Sequence, residues 1–226
     1  MAYNLIDYFN RRLAVIEKEK TKKEPGPFVT ISRETGCGGN EIAELLIRQL
    51  NSDKTHWSLV NKEIISQAAR NLKVDIKRVA EVIDSKERTT MNEIVDALSY
   101  RYYKNDRIVR KKVAEILRFD AQKGYVVIVG RGGVSVTRDI EKGLHIKLEA
   151  PVSWRVKSIM ERKMMTLSEA EKFVEETDQK RIHLLEQLSN KKNEEIYFDL
   201  HLNCMTFSKD EIVKMIINAM KIKRLI

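Results

Sequence analysis

The chain has 226 residues, of which 42% are hydrophobic and 33% charged, and its formal net charge is +9. This composition is typical of a globular protein with one sizeable core and excludes a disordered chain. No apolar run approaches the roughly 18 residues that a membrane span needs, and residues 1–20 lack the apolar core and cleavage site of a secretory signal. We therefore expect a cytoplasmic protein without a membrane partner, and the positive charge favours anionic ligands.

Residues 1–26 predict an N-terminal helical arm. Apolar residues recur at helical spacing from Leu5 to Ile16, and KEKTKKEPGP (18–27) then ends the pattern with two prolines. The arm packs on its own chain or docks on a partner or a second copy, so a homodimer is one of the open alternatives.

Residues 27–226 predict one α/β domain. Helical patterns fill about 62–122 almost without a break, with a capping box at Thr90 and Glu93, and they predict a helical insertion at one edge of a sheet. Later helices begin near Pro151, at a Ser168/Glu171 capping box and at a Ser208/Glu211 capping box. Between these helices lie β-rich runs at FVTIS (28–32), HWSLVN (56–61), YVVIVG (125–130), LHIKLEA (144–150) and YFDLHLN (197–203). Alternation of strands and helices predicts a parallel sheet of about five strands that is covered by helices on both faces.

The segment VTISRETGCGGNEI (29–42) leads from the first strand into the helix predicted for EIAELLIRQL (41–50). A glycine-rich turn at this point directs backbone N–H groups and the helix dipole at one spot, as parallel α/β proteins do to hold phosphate. A tight turn without a ligand is the alternative. The predicted phosphate-binding or ATP-binding residues are Ser32, Arg33, Thr35, Gly36, Cys37, Gly38, Gly39, Asn40 and Glu41.

This loop departs from the Walker pattern G-x-x-x-x-G-K-[ST]. Gly39 stands at the lysine position, and Asn40 or Glu41, depending on the alignment, stands at the position of the hydroxyl residue. Arg33 is a candidate for the missing positive charge, and Ser32 and Thr35 are candidates for the missing hydroxyl. A carboxylate at Glu41 would repel a triphosphate unless a metal ion lay between them.

The two cysteines, Cys37 and Cys204, and the four histidines show no metal-ligand spacing. We therefore predict no metal site that is built from protein ligands alone. The low cysteine count is typical of a reducing compartment.

Five segments follow one another in this order: TISRETGCGGNEIAELL, IVGRGG, LHIKLEAPVSWRV, the D-x-x-R of Asp178 and Arg181, and YFDLHLN. Together they resemble the cytidylate kinase-like family of P-loop proteins, and the resemblance runs from about residue 28 to 220. It implies a P-loop NTPase-type fold with a helical insertion and a lid. It also implies a kinase that transfers the γ-phosphoryl group of ATP to CMP or dCMP with Mg²⁺, so that ATP and Mg²⁺ are the expected cofactors.

The resemblance assigns roles to individual residues. Arg131 lies in a glycine-arginine segment whose arginine holds the acceptor phosphate, and Asp178 and Arg181 resemble a pair that contacts the acceptor nucleotide. Arg155 and Arg162 lie in a segment that resembles the arginine-bearing lid and are, with Arg131, the predicted catalytic residues. Arginine suits these roles because its planar fork grips two phosphate oxygens at once. Ordinary ion pairs and solvated helix charges remain the alternative for each of them.

Two sequence positions depart from the family pattern. Val174 stands where true cytidylate kinases have a further arginine, and Asn61 stands where the family often has an aspartate. These departures leave the acceptor, and turnover itself, open.

Two further functions stay open. YRYYKNDRIVRKK (100–112) mixes three tyrosines with six basic residues, which is one way to bind single-stranded nucleic acid. A solvated helix face explains the same pattern more simply, so nucleic acid is not expected as a partner. The second is a non-catalytic nucleotide or phosphate sensor, an alternative that the loss of the Walker lysine and of the hydroxyl residue raises.

Overall fold

A computed structural model describes residues 25–52, 55–61, 107–188 and 196–226. The predicted arm up to residue 24, most of the predicted insertion with its capping box at Thr90 and Glu93, and the basic tyrosine-containing stretch up to residue 106 lie outside these ranges. The chain divides into two compact units. One consists of Met1–Lys23 and Lys62–Phe119, and the other, which holds the sheet, of Glu24–Asn61 and Asp120–Ile226.

The described strands and helices alternate as the sequence predicts. The strands are β1 (Phe28–Arg33), β2 (Ser58–Val60), β3 (Val126–Val129), β4 (Gly143–Glu149) and β5 (Leu200–Asn203). The helices are α1 (Gly39–Leu50), α2 (Arg107–Lys123), α3 (Gly133–Thr137), α4 (Val152–Lys163), α5 (Leu167–Leu188) and α6 (Lys209–Ile222). None of these described helices is long and apolar enough to cross a membrane.

The five described strands form one parallel sheet in the order β2-β3-β1-β4-β5. β1 lies at the centre, with Thr30 opposite Ile128 on one side and His145 on the other. All four residues of β3 are buried, as expected for a strand that is covered on both faces. Because the strands are parallel, their carboxyl ends meet at one edge, where the loops after β1, β3, β4 and β5 converge.

The main hydrophobic core lies between the sheet and the helices α1 and α6. Ile42 and Leu46 on α1 and Ile216 on α6 pack with Val29 and Ile31 of β1, and each is at most 1% exposed. Burial of an aliphatic side chain of this size contributes about 1.5–3 kcal/mol to the free energy of unfolding. The core therefore fixes both helices against the strand that leads into the glycine loop.

The predicted capping box at the start of α5 needs correction. The capping box of α5 is formed by Thr166 and Glu169, whose side chains and backbone N–H groups bond reciprocally, and not by Ser168 and Glu171. Both pairs fit the capping pattern, and the helix begins at the earlier one, at Leu167. The box of α6 at Ser208 and Glu211 is confirmed.

The last strand is shorter than predicted and begins at Leu200 instead of residue 197. The Gly143 carbonyl of the neighbouring strand accepts a hydrogen bond from the Lys223 ammonium at 2.8 Å, and that ammonium also pairs with Asp199. These contacts occupy the position that a longer strand would use.

His145 on β4 predicts a pH dependence of stability. Its Nδ1 lies 2.8 Å from the hydroxyl of Thr30, and its ring packs edge-on against Phe28. Burial lowers the pKa of His145 below its ordinary value; the carboxylate of Asp199 opposes this shift and the ammonium of Lys223 adds to it. Below about pH 6.5 the unfolded chain therefore binds a proton that the folded chain does not yet bind, and the free energy of unfolding falls as the pH falls.

We expect the variant His145→Gln to show a smaller loss of stability between pH 7 and pH 5 than the wild type. Urea unfolding at a series of pH values measures this difference in slope. His56→Gln is the matched control, because it removes an exposed histidine by the same substitution. Equal slopes for the wild type and His145→Gln would contradict the assignment.

Candidate functional site

The glycine loop joins β1 to α1 through Glu34–Gly38. Gly36 has φ 97° and Gly38, the cap residue of α1, has φ 65° and ψ 30°, so both lie in the left-handed region that favours glycine. A Cβ at Gly36 would come within 2.8 Å of the backbone oxygen of Arg155. The loop thus turns tightly over the start of α4 and brings the chain to the N-terminus of α1, which is the geometry of a phosphate cradle.

One carboxylate, that of Asp178 on α5, holds this loop in place. It accepts hydrogen bonds from the Thr35 backbone N–H at 2.8 Å and from the Thr35 hydroxyl at 2.7 Å. Its other oxygen accepts from the Arg155 guanidinium at 2.5 Å. Arg181, one turn further on, donates to the Thr35 hydroxyl at 2.8 Å and to the Arg33 carbonyl at 3.3 Å. The predicted residues Thr35, Arg155, Asp178 and Arg181 therefore form one connected network.

Arg155 lies beneath the loop and is only 5% exposed. Its guanidinium pairs with Glu34 at 3.2 Å as well as with Asp178, and it donates to the carbonyls of Ala150 and Thr35. A transferring phosphate would have to break these ion pairs to reach it. The geometry gives Arg155 a positioning role for the loop, and the predicted catalytic contact stays a prediction.

Arg162 lies apart from Arg155, although both are on α4. Arg162 pairs with Glu41 at 2.6 Å, and the Lys209 ammonium contacts the other oxygen of the same carboxylate. A Cβ at Gly38 would lie 3.0 Å from the Arg162 guanidinium and 3.5 Å from Cε of Lys209. Two cationic side chains therefore lie beside Gly38, at the end of the loop that leads into α1, which we call the mouth of the loop.

Lys209 is not among the site residues that the sequence predicts. The available signal was topological: β5 is parallel to β1, so the residues that follow it return to the edge of the sheet where the glycine loop lies.

Arg33, the predicted substitute for the Walker lysine, points towards a different place. Its aliphatic stem packs on Gly39, where a Cβ would come within 3.0 Å of Cγ. Its guanidinium lies against Gly130, where a Cβ would overlap it. The charge of Arg33 therefore sits beside the Gly130-Arg131-Gly132 segment.

A small cavity of about 80 Å³ lies on that side of the loop. Its lining residues are Ser32, Arg33, Glu34, Gly130, Arg131, Gly132, Lys147, Asp178, Arg181, Ile182 and Leu185. Burial lowers the pKa of Arg181, although the Asp178 carboxylate opposes this, and an arginine stays charged at neutral pH even so. Four cationic side chains face two carboxylates here, so the cavity suits an anionic ligand.

Arg131 has an unusual backbone conformation within this cavity. It has φ 55°, between Gly130 at φ 71° and Gly132 at φ 69°. A left-handed residue with a side chain costs roughly 1–2 kcal/mol, and such strain concentrates at binding sites. This turn places Arg131 two residues after Val129, at the carboxyl end of β3.

A second cavity of about 240 Å³ lies next to the loop. Its lining residues are Gly36, Cys37, Ile42, Trp154, Arg162, Cys204, Phe207, Ser208, Lys209 and Ile212. Two aromatic side chains, Trp154 and Phe207, here stand near two cations. This combination suits a ligand that has both a flat ring and charged groups.

Cys37 and Cys204 meet in the wall of this second cavity. Both are buried free thiols, and the pKa of the Cys37 thiol is raised above its ordinary value, first by the neighbouring Cys204 thiol and then by burial. A protonated, buried thiol is a poor nucleophile. Cys37 therefore serves the loop as a packing residue.

Among the described residues, no group of three or more His, Cys, Asp or Glu side chains is placed to hold a metal ion. Glu41 is nevertheless an oxygen donor at the mouth of the loop. A magnesium ion is often held by one or two carboxylates together with substrate phosphates and water, so Glu41 fits such a role.

Comparison with known proteins identifies the family. The model of the cytidylate kinase-like family matches residues 28–206. No curated protein is similar enough in sequence to count as a match.

Two solved structures resemble the fold. An uncharacterised protein from Eubacterium ventriosum is 18% identical with a TM-score of 0.58, over 86% of this chain and 98% of that one. TT1252 from Thermus thermophilus is 15% identical with a TM-score of 0.51, over 87% of this chain and 96% of that one. At these identities the likeness shows the fold alone.

Replacement of Asp178 by Asn should lower the free energy of unfolding by about 3 kcal/mol, because the buried Arg155 then loses a charged partner. Urea unfolding at neutral pH measures the change. Glu176→Gln on the same helix is the control, since it removes only an exposed pair with Lys180. A loss no larger than that of the control would show that the loop is held by other contacts.

Proposed function

Since the chain belongs to the cytidylate kinase-like family, we propose that it transfers the γ-phosphoryl group of ATP to a small phosphorylated acceptor. CMP is the first candidate for that acceptor. The observation that carries this proposal is the position of two cavities beside one glycine loop, at the carboxyl ends of the parallel strands. The family match supports phosphotransfer as the class of activity and leaves the acceptor open.

The donor nucleotide occupies the larger cavity. In the wall of this cavity, Trp154 and Phe207 would hold the base, and the loop at Gly36 and Cys37 would hold the phosphates together with Arg162 and Lys209. Phosphoryl transfer depends mainly on positioning and on neutralisation of phosphate charge. These groups supply both without a lysine in the loop itself.

The phosphate group of the acceptor occupies the smaller cavity. Arg131 and Arg181 face it together with Arg33 and Lys147, so an acceptor that carries a phosphate finds several partners. The predicted acceptor residue Asp178 also lines the cavity, but its carboxylate is already engaged with Thr35 and Arg155. We therefore assign Asp178 to positioning of Arg181 and of the loop.

Magnesium is expected with the nucleotide. When bound, it would neutralise phosphate charge, and Glu41 is the described carboxylate at the mouth of the loop that would face it, directly or through water. The residues of the chain bind and orient the two phosphorylated ligands. Closure of Arg162 over them would exclude water from the phosphates.

A non-catalytic nucleotide sensor is the second candidate function. Glu41 already pairs with both cations at the mouth of the loop, and the loop has no lysine of its own. A sensor would bind ATP without acceptor-dependent release of ADP. Pairing of two chains through their N-terminal arms stays a prediction, since residues 1–24 lie outside the described part.

The first test is ADP release from Mg-ATP across a panel of nucleoside monophosphates. We expect turnover that depends on one acceptor, and we expect Arg131→Ala to lower kcat/KM by about a hundredfold through loss of a phosphate partner. Arg48→Ala, an exposed arginine on α1, is the control and should retain full activity.

The possible outcomes separate the two functions. ATP binding without turnover on any acceptor would favour the sensor. Full turnover in Arg131→Ala would show that Arg131 does not hold the acceptor phosphate. Absence of any ATP binding would show that the glycine loop is not a phosphate-binding loop.

A further inference from the structure

The mouth of the glycine loop carries three charged side chains that come from three helices. Glu41 lies in the first turn of α1, Arg162 in the last turn of α4, and Lys209 is the first residue of α6. One oxygen of Glu41 pairs with Arg162 at 2.6 Å, and the other contacts the Lys209 ammonium. A single carboxylate thus binds two cations directly in front of Gly38.

These pairs differ in kind from those beneath the loop. The side chains of Arg162, Glu41 and Lys209 are 35%, 45% and 46% exposed, whereas that of Arg155 is 7% exposed. Exposed ion pairs are screened by water and salt and contribute about 0–1 kcal/mol each. The buried pairs of Arg155 are costly to break, and those at the mouth of the loop exchange partners readily.

The three charges also lie where donor phosphates would lie. Gly38 has no side chain that could cap α1, and the side chains of Arg162 and Lys209 lie next to it. The N-terminus of this helix of 12 residues therefore faces the same space as the two cations. The guanidinium of Arg33 lies beside Gly130, on the side of the other cavity. Arg162 and Lys209 are therefore the cations nearest to Gly38 among the contacts that the structure describes.

We propose that Lys209, together with Arg162, supplies the positive charge that a lysine within the loop supplies in other phosphate loops, and that Glu41 is an internal counter-ion which the donor phosphates displace. This inference rests on the proposed function. A triphosphate carries more negative charge and more acceptor oxygens than one carboxylate. The interaction of the two cations with phosphate is therefore more favourable than their interaction with Glu41, and the phosphate displaces the carboxylate. In the absence of ligand, Glu41 keeps the two cations in position.

The proposal accounts for two oddities of the loop. The first is Gly39 at the lysine position: a loop whose positive charge comes from Lys209 needs no lysine of its own. Lys209 reaches the loop although it lies 168 positions from Glu41 in the chain. Glu41 is tolerated beside a phosphate site because it has partners of its own when the site is empty.

Isothermal titration with ATP and with pyrophosphate, both without Mg²⁺, tests the proposal. Lys209→Ala should weaken binding about tenfold, since it removes a charged hydrogen-bond donor. Lys209→Arg should restore most of the affinity. Glu41→Gln should tighten binding about two- to fivefold, because the cations lose an exposed competitor.

Two matched controls lie on the same helices. Lys214→Ala on α6 and Glu44→Gln on α1 change exposed charges of the same type and should leave both affinities unchanged. A repeat of all titrations with Mg²⁺ separates a counter-ion from a metal ligand.

Each outcome decides one point. If the wild type binds neither ATP nor pyrophosphate, the proposed function fails. If the wild type binds both and Lys209→Ala behaves like Lys214→Ala, the cradle stands and the role of Lys209 is overturned. If Glu41→Gln does not tighten binding in the absence of Mg²⁺, the counter-ion role of Glu41 is overturned, and weaker binding of this variant in the presence of Mg²⁺ would then leave Glu41 as a metal ligand alone.

Discussion

The carboxylate of Asp178 is the contact on which the glycine loop depends. A loop with Gly36, Gly38 and Gly39 has a large conformational entropy when it is unrestrained, so its sequence alone does not hold one shape. Asp178 accepts both polar hydrogens of Thr35 and pairs with Arg155, which in turn reaches Glu34 and the Ala150 carbonyl. The loop is thereby tied to α4 and α5, and both cavities keep their shape because the loop between them is fixed.

The site separates two kinds of positive charge. Arg155 is buried and its guanidinium is paired with carboxylates of the protein, whereas Arg162 and Lys209 are exposed and share one carboxylate. A buried pair keeps its geometry because neither partner can turn to water. An exposed pair is stabilised only weakly and gives way to a more highly charged ligand. Under the proposed function, this division would let a phosphate loop without a lysine offer cations to a nucleotide.

Much of the fold follows from local patterns in the sequence. FVTIS is a β-rich run and YVVIVG an apolar run typical of the buried interior of a parallel sheet, and they become β1 and β3. Ser208 and Glu211 form the expected capping box because no competing pair lies nearby, whereas Thr166/Glu169, two residues earlier in the chain, prevails over Ser168/Glu171. Local patterns predict that a helix begins in such a stretch more reliably than they predict at which residue it begins.

The sequence by itself determined the order of strands and helices, the glycine turn between β1 and α1, and the resemblance that the family match confirms. Only the tertiary structure decided which charged side chains face that turn. Glu41 lies 121 positions from Arg162 and 168 from Lys209, and no local pattern relates residues so far apart. Glu41 and Lys209 meet because parallel strands end at the same edge of the sheet, so the order β2-β3-β1-β4-β5 brings the starts of α1 and α6 together. Arg162 reaches them from the last turn of α4.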